Sequence, residues 1–290
     1  MARKAAKTGP GPTFMVALEQ RFPENVRIID DDLARLILPF GARISLWVNL
    51  RLISVNNTVK WTEKKMPGMW SGFMCRKRYI DDKVADTAGV QTAAVVNLGA
   101  GFDTRAYRIP ALSTVPVWEV DQHANINPKH KRLKKILGDI PKNVTLVPID
   151  FDHEGLGDVL QSYGYPGNIS TFFIWEAVAQ YLPEVSIRAT FDFLAKAPAG
   201  SRLIFTYVRK DFVDGQKLYG HKYLYEKMVI KGRSWLSGMY PEEIADFLSG
   251  YGWQLLEHLG YDELAERYVK PTGRTLLSTP LERIVYAEKK

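Results

Sequence analysis

The sequence predicts an α/β protein with a doubly wound, mostly parallel, Rossmann-like sheet, an N-terminal helical cap and an insert after the fifth strand. Three observations predict this. Between residues 93 and 207, apolar runs of strand length alternate with helix-period segments. The first four runs each end in a glycine-rich or acidic turn, at the edge where open parallel sheets bind small molecules. Residues 13–88, ahead of them, carry helical apolar periodicity. A chain of 290 residues, 46% hydrophobic, can bury one large α/β core, so residues 13–290 are expected to form a single domain.

In chain order, residues 1–12 hold Arg3, Lys4 and Lys7 before Gly9-Pro10-Gly11-Pro12 and read as a disordered basic arm. They lack the apolar core of a secretory signal. The helical segment 13–88 has apolar spacing in 14–22, 32–38 and 44–53, interrupted at 60–70 by charge, Pro67 and Gly68, which read as a loop or flexible cover. The run at 95–98 ends in Gly99-Ala100-Gly101-Phe102-Asp103-Thr104-Arg105. Glycines there let backbone N–H groups approach a ligand. A dinucleotide fingerprint would want a third glycine at 104, where Thr stands, and Asp103 would repel a pyrophosphate. A zwitterion suits the loop better: Asp103 meets an ammonium while Arg105 or another arginine meets a carboxylate. S-adenosylmethionine (SAM) has both groups and a sulfonium.

The next run, 115–120, ends in Asp121, placed to bond ribose hydroxyls roughly 20 residues past the first loop. Residues 144–149 lead into Asp150-Phe151, an acceptor for an adenine amine beside an aromatic cover. Residues 171–175 end in Glu176. Each acid alone also fits a helix cap; four on one edge point to a ligand. After the strand at 203–207, residues 208–238 break the alternation with an aromatic-rich insert, a candidate substrate lid. Residues 241–250 read as a helix, and 252–256 with 283–287 as an antiparallel edge pair.

The net charge of +7 invites a nucleic-acid reading, but three charges sit in the arm and many others in 129–142, where Leu133, Ile136 and Leu137 leave the basic residues on the outer face of a helix. No base-stacking aromatics interleave with them, so a nucleic-acid partner is not expected. A single cysteine, Cys75, fits a reducing, cytoplasmic setting, and five histidines without paired spacing argue against a metal. No apolar stretch reaches the roughly 20 residues that span a bilayer, and no membrane partner is expected. The sequence leaves the oligomeric state open.

These motifs resemble the leucine carboxyl methyltransferase family of SAM-dependent methyltransferases, and its bacterial O-methyltransferase branch, which includes polyketide carboxyl O-methyltransferases. Ile29-Asp30-Asp31-Asp32-Leu33-Ala34 is similar to the family's Asp-x-x-Ala element, and Cys75–Asp81 to its Arg-Thr-x-x-aromatic-x-Asp helix, with Lys77 in place of Thr. Asn97–Arg108 resembles its Asn-Leu-Gly-Ala-Gly-x-Asp-Thr-Arg loop, and Glu119-Val120-Asp121 its Glu-x-Asp. Glu176 with Tyr181-Leu182 is similar to its Glu-Gly-x-x-x-Tyr-Leu, where Ala177 replaces the glycine and Gln180 adds a polar group. Glu266-Arg267-Tyr268 and Pro280-Leu281-Glu282-Arg283 resemble its C-terminal signature. The resemblance implies a class I methyltransferase fold with SAM held by Arg76, Gly99, Asp103, Asp121, Asp150 and Glu176, joined by Gly101, Arg105 and Phe151 from the residue reading.

Methyl transfer from a sulfonium is an in-line displacement, so alignment of the nucleophile is the main requirement. A carboxylate acceptor is ionised at neutral pH, whereas a phenol needs a base. No residue stands out as that base: His123 follows the ribose acid, and His221 in the insert is the better-placed catalytic candidate. Its absence favours a carboxylate on a small hydrophobic or aromatic molecule, bound by Tyr181, Tyr207 and Tyr223. A phenolic O-methyltransferase, a tRNA-modifying enzyme, an NAD(P)-dependent oxidoreductase and a non-catalytic SAM-binding protein are the alternatives.

Overall fold

A computed structural model describes residues 10–151 and 153–290. Its centre is a seven-stranded sheet in the order β3-β2-β1-β4-β5-β7-β6. The strands are β1 (Ala94–Leu98), β2 (Val117–Gln122), β3 (Val144–Ile149), β4 (Thr171–Trp175), β5 (Arg202–Val208), β6 (Trp253–Leu259) and β7 (Glu282–Lys289). β1 to β5 are mutually parallel, and β7 runs antiparallel to both β5 and β6. The order reverses at β1, so β1 and β4 flank the switch point where such sheets open a crevice.

Alternation along each strand divides the core in two. Val95 of β1 joins the N-terminal helices, while Ala94, Val96 and Leu98 face the opposite side. Five helices precede the sheet: α1 (Pro10–Glu19), α2 (Ala34–Ile37), α3 (Phe40–Leu52), α4 (Val55–Lys65) and α5 (Met69–Thr87). Along the sheet follow α6 (Arg105–Arg108), α7 (His123–Leu137), α8 (Leu156–Ser162) and α9 (Glu184–Leu194). Beyond β5 come α10 (Lys210–Val213) and α11 (Lys222–Tyr225), which runs into a π-helical turn at Glu226–Lys231; α12 (Ile244–Gly250) precedes β6, and α13 (Tyr261–Tyr268) lies between β6 and β7.

Two expectations change. Residues 1–9 of the basic arm lie outside the described residues, and 10–12 open α1 instead of continuing an arm, because proline is compatible with a first helical turn. Residues 60–70 are not a loop. α4 runs to Lys65, its lysines outward and Val59 and Thr62 buried, and only 66–68 turn before α5. The insert after β5 packs as a small core of its own, with Phe212, Leu224 and Trp235 against Met69, Val208 and Leu281.

Candidate active site

The segments leaving the carboxyl ends of β1, β2 and β4 wall a cavity of about 1680 Å³, closed on its far side by α1, α3, α4, the start of α5 and the insert. The loop after β1 turns at Gly99 (φ 77°) and Gly101 (φ 39°). A Cβ at Gly99 would lie 2.4 Å from Val178 Cγ2, so both backbone conformation and space exclude a side chain. The amides of Gly99 and Ala100 bond Val120 O, and Gly101 N donates to Asp121 Oδ2 at 2.6 Å. Asp121 Oδ1 accepts from Gln122 N and from Asn125 Nδ2. Burial raises the pKa of this carboxyl against those donors, and among the described residues it makes no ion pair.

Beneath the loop lies a buried charge network. Arg105, opening α6, donates from Nε to Asp81 Oδ1 at 2.6 Å and from Nη1 to Asp103 Oδ2 at 2.5 Å and Glu176 Oε2 at 2.8 Å. From α5, Arg76 donates Nε to Glu176 Oε1 at 2.8 Å and Nη1 to both oxygens of Glu282, while Lys77 Nζ stands 3.5 Å from Glu176. Burial alone would raise both Asp103 in the loop and Glu176 just past β4. Instead Lys77, Arg105 and Arg76 hold Glu176 well below the usual carboxylate range, and Arg105, with Lys77 and Lys129, holds Asp103 at about 2. Asp31 ties the N-terminal helices to this edge: it caps Ala34 N and accepts from Thr104 Oγ1 at 2.7 Å.

Of the residues expected at the site, Arg76, Gly99, Gly101, Asp103, Asp121, Phe151, Glu176 and Tyr181 line the cavity. Arg105 stands behind the wall, paired with Asp103 and Glu176, which line it. Asp150 is not in the wall; its carboxylate pairs with His153 at the exposed surface, leaving Phe151 and Glu154 to face inward. Three further expectations are corrected. Tyr207 is buried beside the sheet with its hydroxyl 2.8 Å from His258 Nε2, because strand alternation gives the cavity to Val208. Tyr223 is exposed, since the turn of α11 points Leu224 inward instead. His221 is buried outside the cavity wall with Nε2 2.7 Å from Thr279 Oγ1, and burial lowers its pKa.

Residues that sequence reasoning missed are the partners of the network. Lys129, expected on the outer face of α7, is 1% exposed and pairs with Glu119 at 2.8 Å. Its signal was its spacing: Ile126, Lys129 and Leu133 share the buried stripe. Glu282 and Tyr261, which are bonded at 2.7 Å, come from distant sequence, and no local pattern links them to Arg76.

The donor set fits SAM. The described wall carries seven carboxylates (Asp103, Asp121, Glu154, Asp158, Glu176, Asp192, Glu282) against four cations (Arg76, Lys77, Lys196, Lys227), which suits a ligand with two cationic centres and one carboxylate. Asp121 is a buried carboxylate in that wall, and Phe151 adds an aromatic ring to it.

Sheet order and site together define a class I SAM-dependent methyltransferase fold. A methyltransferase candidate from Thermobifida fusca YX superposes with a TM-score of 0.55 at 17% identity, over 82% of this chain and 89% of that one. The family model described as leucine carboxyl methyltransferase matches residues 11–195, and the chain belongs to that family; SAM is its methyl donor. A candidate SAM-dependent methyltransferase of Mycobacterium avium strain 104 is 28% identical over 252 residues, 83% of this chain and 81% of its own length. One of Mycolicibacterium gilvum strain PYR-GCK is 30% identical over 77% of this chain and 74% of its own.

Proposed function

We propose that the protein transfers the methyl group of SAM to a carboxylate oxygen of a small hydrophobic or aromatic molecule. The observation that carries this reading is the lack, among the described residues, of a disengaged base at the acceptor end of the cavity. That end is formed by Met66, Met69, Trp70, Phe73, Leu224, Met228, Trp235 and Leu281. None of the five histidines lines the cavity. Glu176 and Glu282 of the cavity wall are engaged by Arg76, and Glu282 also accepts from Tyr261. A nucleophile that arrives already ionised needs only desolvation and aim.

Bound SAM would supply an electrophilic methyl group on a positively charged sulfur, with the neutral thioether S-adenosylhomocysteine as leaving group, so that an ionised acceptor would need no proton transfer. Asp121 and the Gly99–Gly101 backbone bind the nucleoside end, and Asp103 and Glu176 offer acceptors to an ammonium. The aromatic and methionine side chains exclude water around the acceptor, which strengthens a carboxylate nucleophile by stripping its hydration. Lys227, in the insert wall, makes no ion pair among the described residues and is positioned to receive an acidic head. Gln180 Oε1 and Trp235 Nε1 are buried in the same region without hydrogen-bond partners among the described residues.

The test is the pH profile of kcat/KM with labelled SAM over a panel of aromatic and aliphatic acids and phenols. A carboxylate acceptor gives a flat profile from about pH 6 to 9. Turnover confined to phenols, rising with pH, would replace this reading with hydroxyl methylation.

A further inference from the structure

Helix α3 turns its apolar stripe to solvent. Phe40, Ile44, Trp47 and Val48 recur at i, i+4, i+7 and i+8 and so share one face, yet all four are exposed, Phe40 by 78% and Trp47 by 58%, while Leu46 alone in α3 is buried. Its neighbour α4 adds Trp61, exposed by 57%, and Thr58 Oγ1 bonds Asn49 Oδ1 to hold the two helices together. Residues 33–62 contain no aspartate or glutamate and four cations: Arg35, Arg43, Arg51 and Lys60. Lys64 and Lys65 follow, and all six cations are exposed. Within 33–65 the one acid, Glu63, turns inward to accept from Gly68 N. Arg51 lies over the Trp47 ring at 5.0 Å and Lys65 over the Trp61 ring at 4.2 Å, so each aromatic is paired with a cation at the surface.

We propose that this α3–α4 face docks on an anionic lipid surface. Exposed apolar and aromatic side chains mixed with arginine and lysine, and almost free of acid, match the composition of helices that lie in a membrane interface. The charge selects the occupant. A second copy of the chain would set six cations against six, whereas anionic headgroups meet the cations while the acyl boundary receives Phe40 and Trp47. Docking of this kind needs no spanning helix, so the expectation of no membrane partner, drawn from the lack of a long apolar run, does not bear on it. Asn49, Asn57 and Trp61 of the same two helices, with Ile53 between them, line the cavity, so the helix pair carries part of the cavity wall.

Vesicle flotation of the full chain tests this without SAM or an acceptor, and so separately from the methyl-transfer reading. The protein is expected to float with phosphatidylcholine vesicles containing phosphatidylglycerol, not with phosphatidylcholine alone, and to be released by salt. Phe40→Ser with Trp47→Ser, and Arg43→Glu with Arg51→Glu, should each lower partitioning by about tenfold or more. Calorimetric SAM affinity should stay at the parent value in both variants, which separates lost docking from lost folding. Failure of the SAM-competent parent to float with anionic vesicles would overturn the proposal. So would a dimer in sedimentation that Phe40→Ser with Trp47→Ser dissociates while vesicle binding persists, because the face would then belong to a second copy.

Discussion

The two ends of the cavity are built on opposite principles. At the sheet edge, Asp103, Glu176, Glu282, Arg76 and Arg105 are buried and bound to one another, so the geometry is held by paired charge. At the far end, methionines, aromatics and the insert make an apolar wall with few polar contacts, next to helices whose outer faces are exposed. A buried ion network tolerates few changes, because removing one member leaves others unpaired in low dielectric. An apolar wall tolerates volume-conserving exchange. The contrast matches a division between a constant donor and an acceptor that can vary within one architecture.

The largest expected effect comes from breaking the charged end. Arg105→Ala strips Asp81, Asp103 and Glu176 of their shared partner and should cost about 3–5 kcal/mol of stability in urea unfolding. A cost no larger than that of an exposed arginine would mean that water or neighbouring cations replace the guanidinium, and the comparison would fail.

Next is Asp121→Ala, expected to weaken SAM binding by about 2–3 kcal/mol in calorimetry while the protein stays folded. Part of this loss runs through the loop, since Gly101 N loses its acceptor. Unchanged affinity would assign the ribose to another acceptor.

The pH dependence of stability separates the ends further. Burial, then Arg283, depresses His258 to about 4, and burial depresses His221. Depressed histidines contribute stability that is present above the unfolded value of about 6.5 and is lost as pH falls towards the folded value. Asp103, held at about 2, contributes stability present above about 3.9 and lost as pH falls from there through 2. Thermal melting should therefore decline first between about pH 6.5 and 4 through the histidines, and His258→Gln should flatten that stretch. An identical slope in the variant would remove His258 from this account.

The smallest effect is at Ala177. Its φ of 57° is left-handed, at the position where the family pattern has glycine. The strain of a Cβ there is on the order of 1 kcal/mol, so Ala177→Gly should raise stability by up to about that amount in chemical unfolding. A loss would show that the Ala177 methyl packs well enough to outweigh it.

The sequence by itself determined the strand alternation, the glycine turn at 99–101 and the acids that end β1 to β4, because these depend on periodicity and on residues adjacent in the chain. Eight expected site residues consequently reached the cavity wall. Tyr207, Tyr223 and His221 did not, since one step along a strand or helix reverses the direction of a side chain and composition alone does not register that step. Tertiary structure also decided that Glu282 and Tyr261 meet Arg76 across some 200 residues, and that Lys129 is buried with Glu119. It alone showed the stripe of α3 facing outward. Apolar periodicity says that a helix has a face, but only the packing of the neighbouring elements says what that face meets.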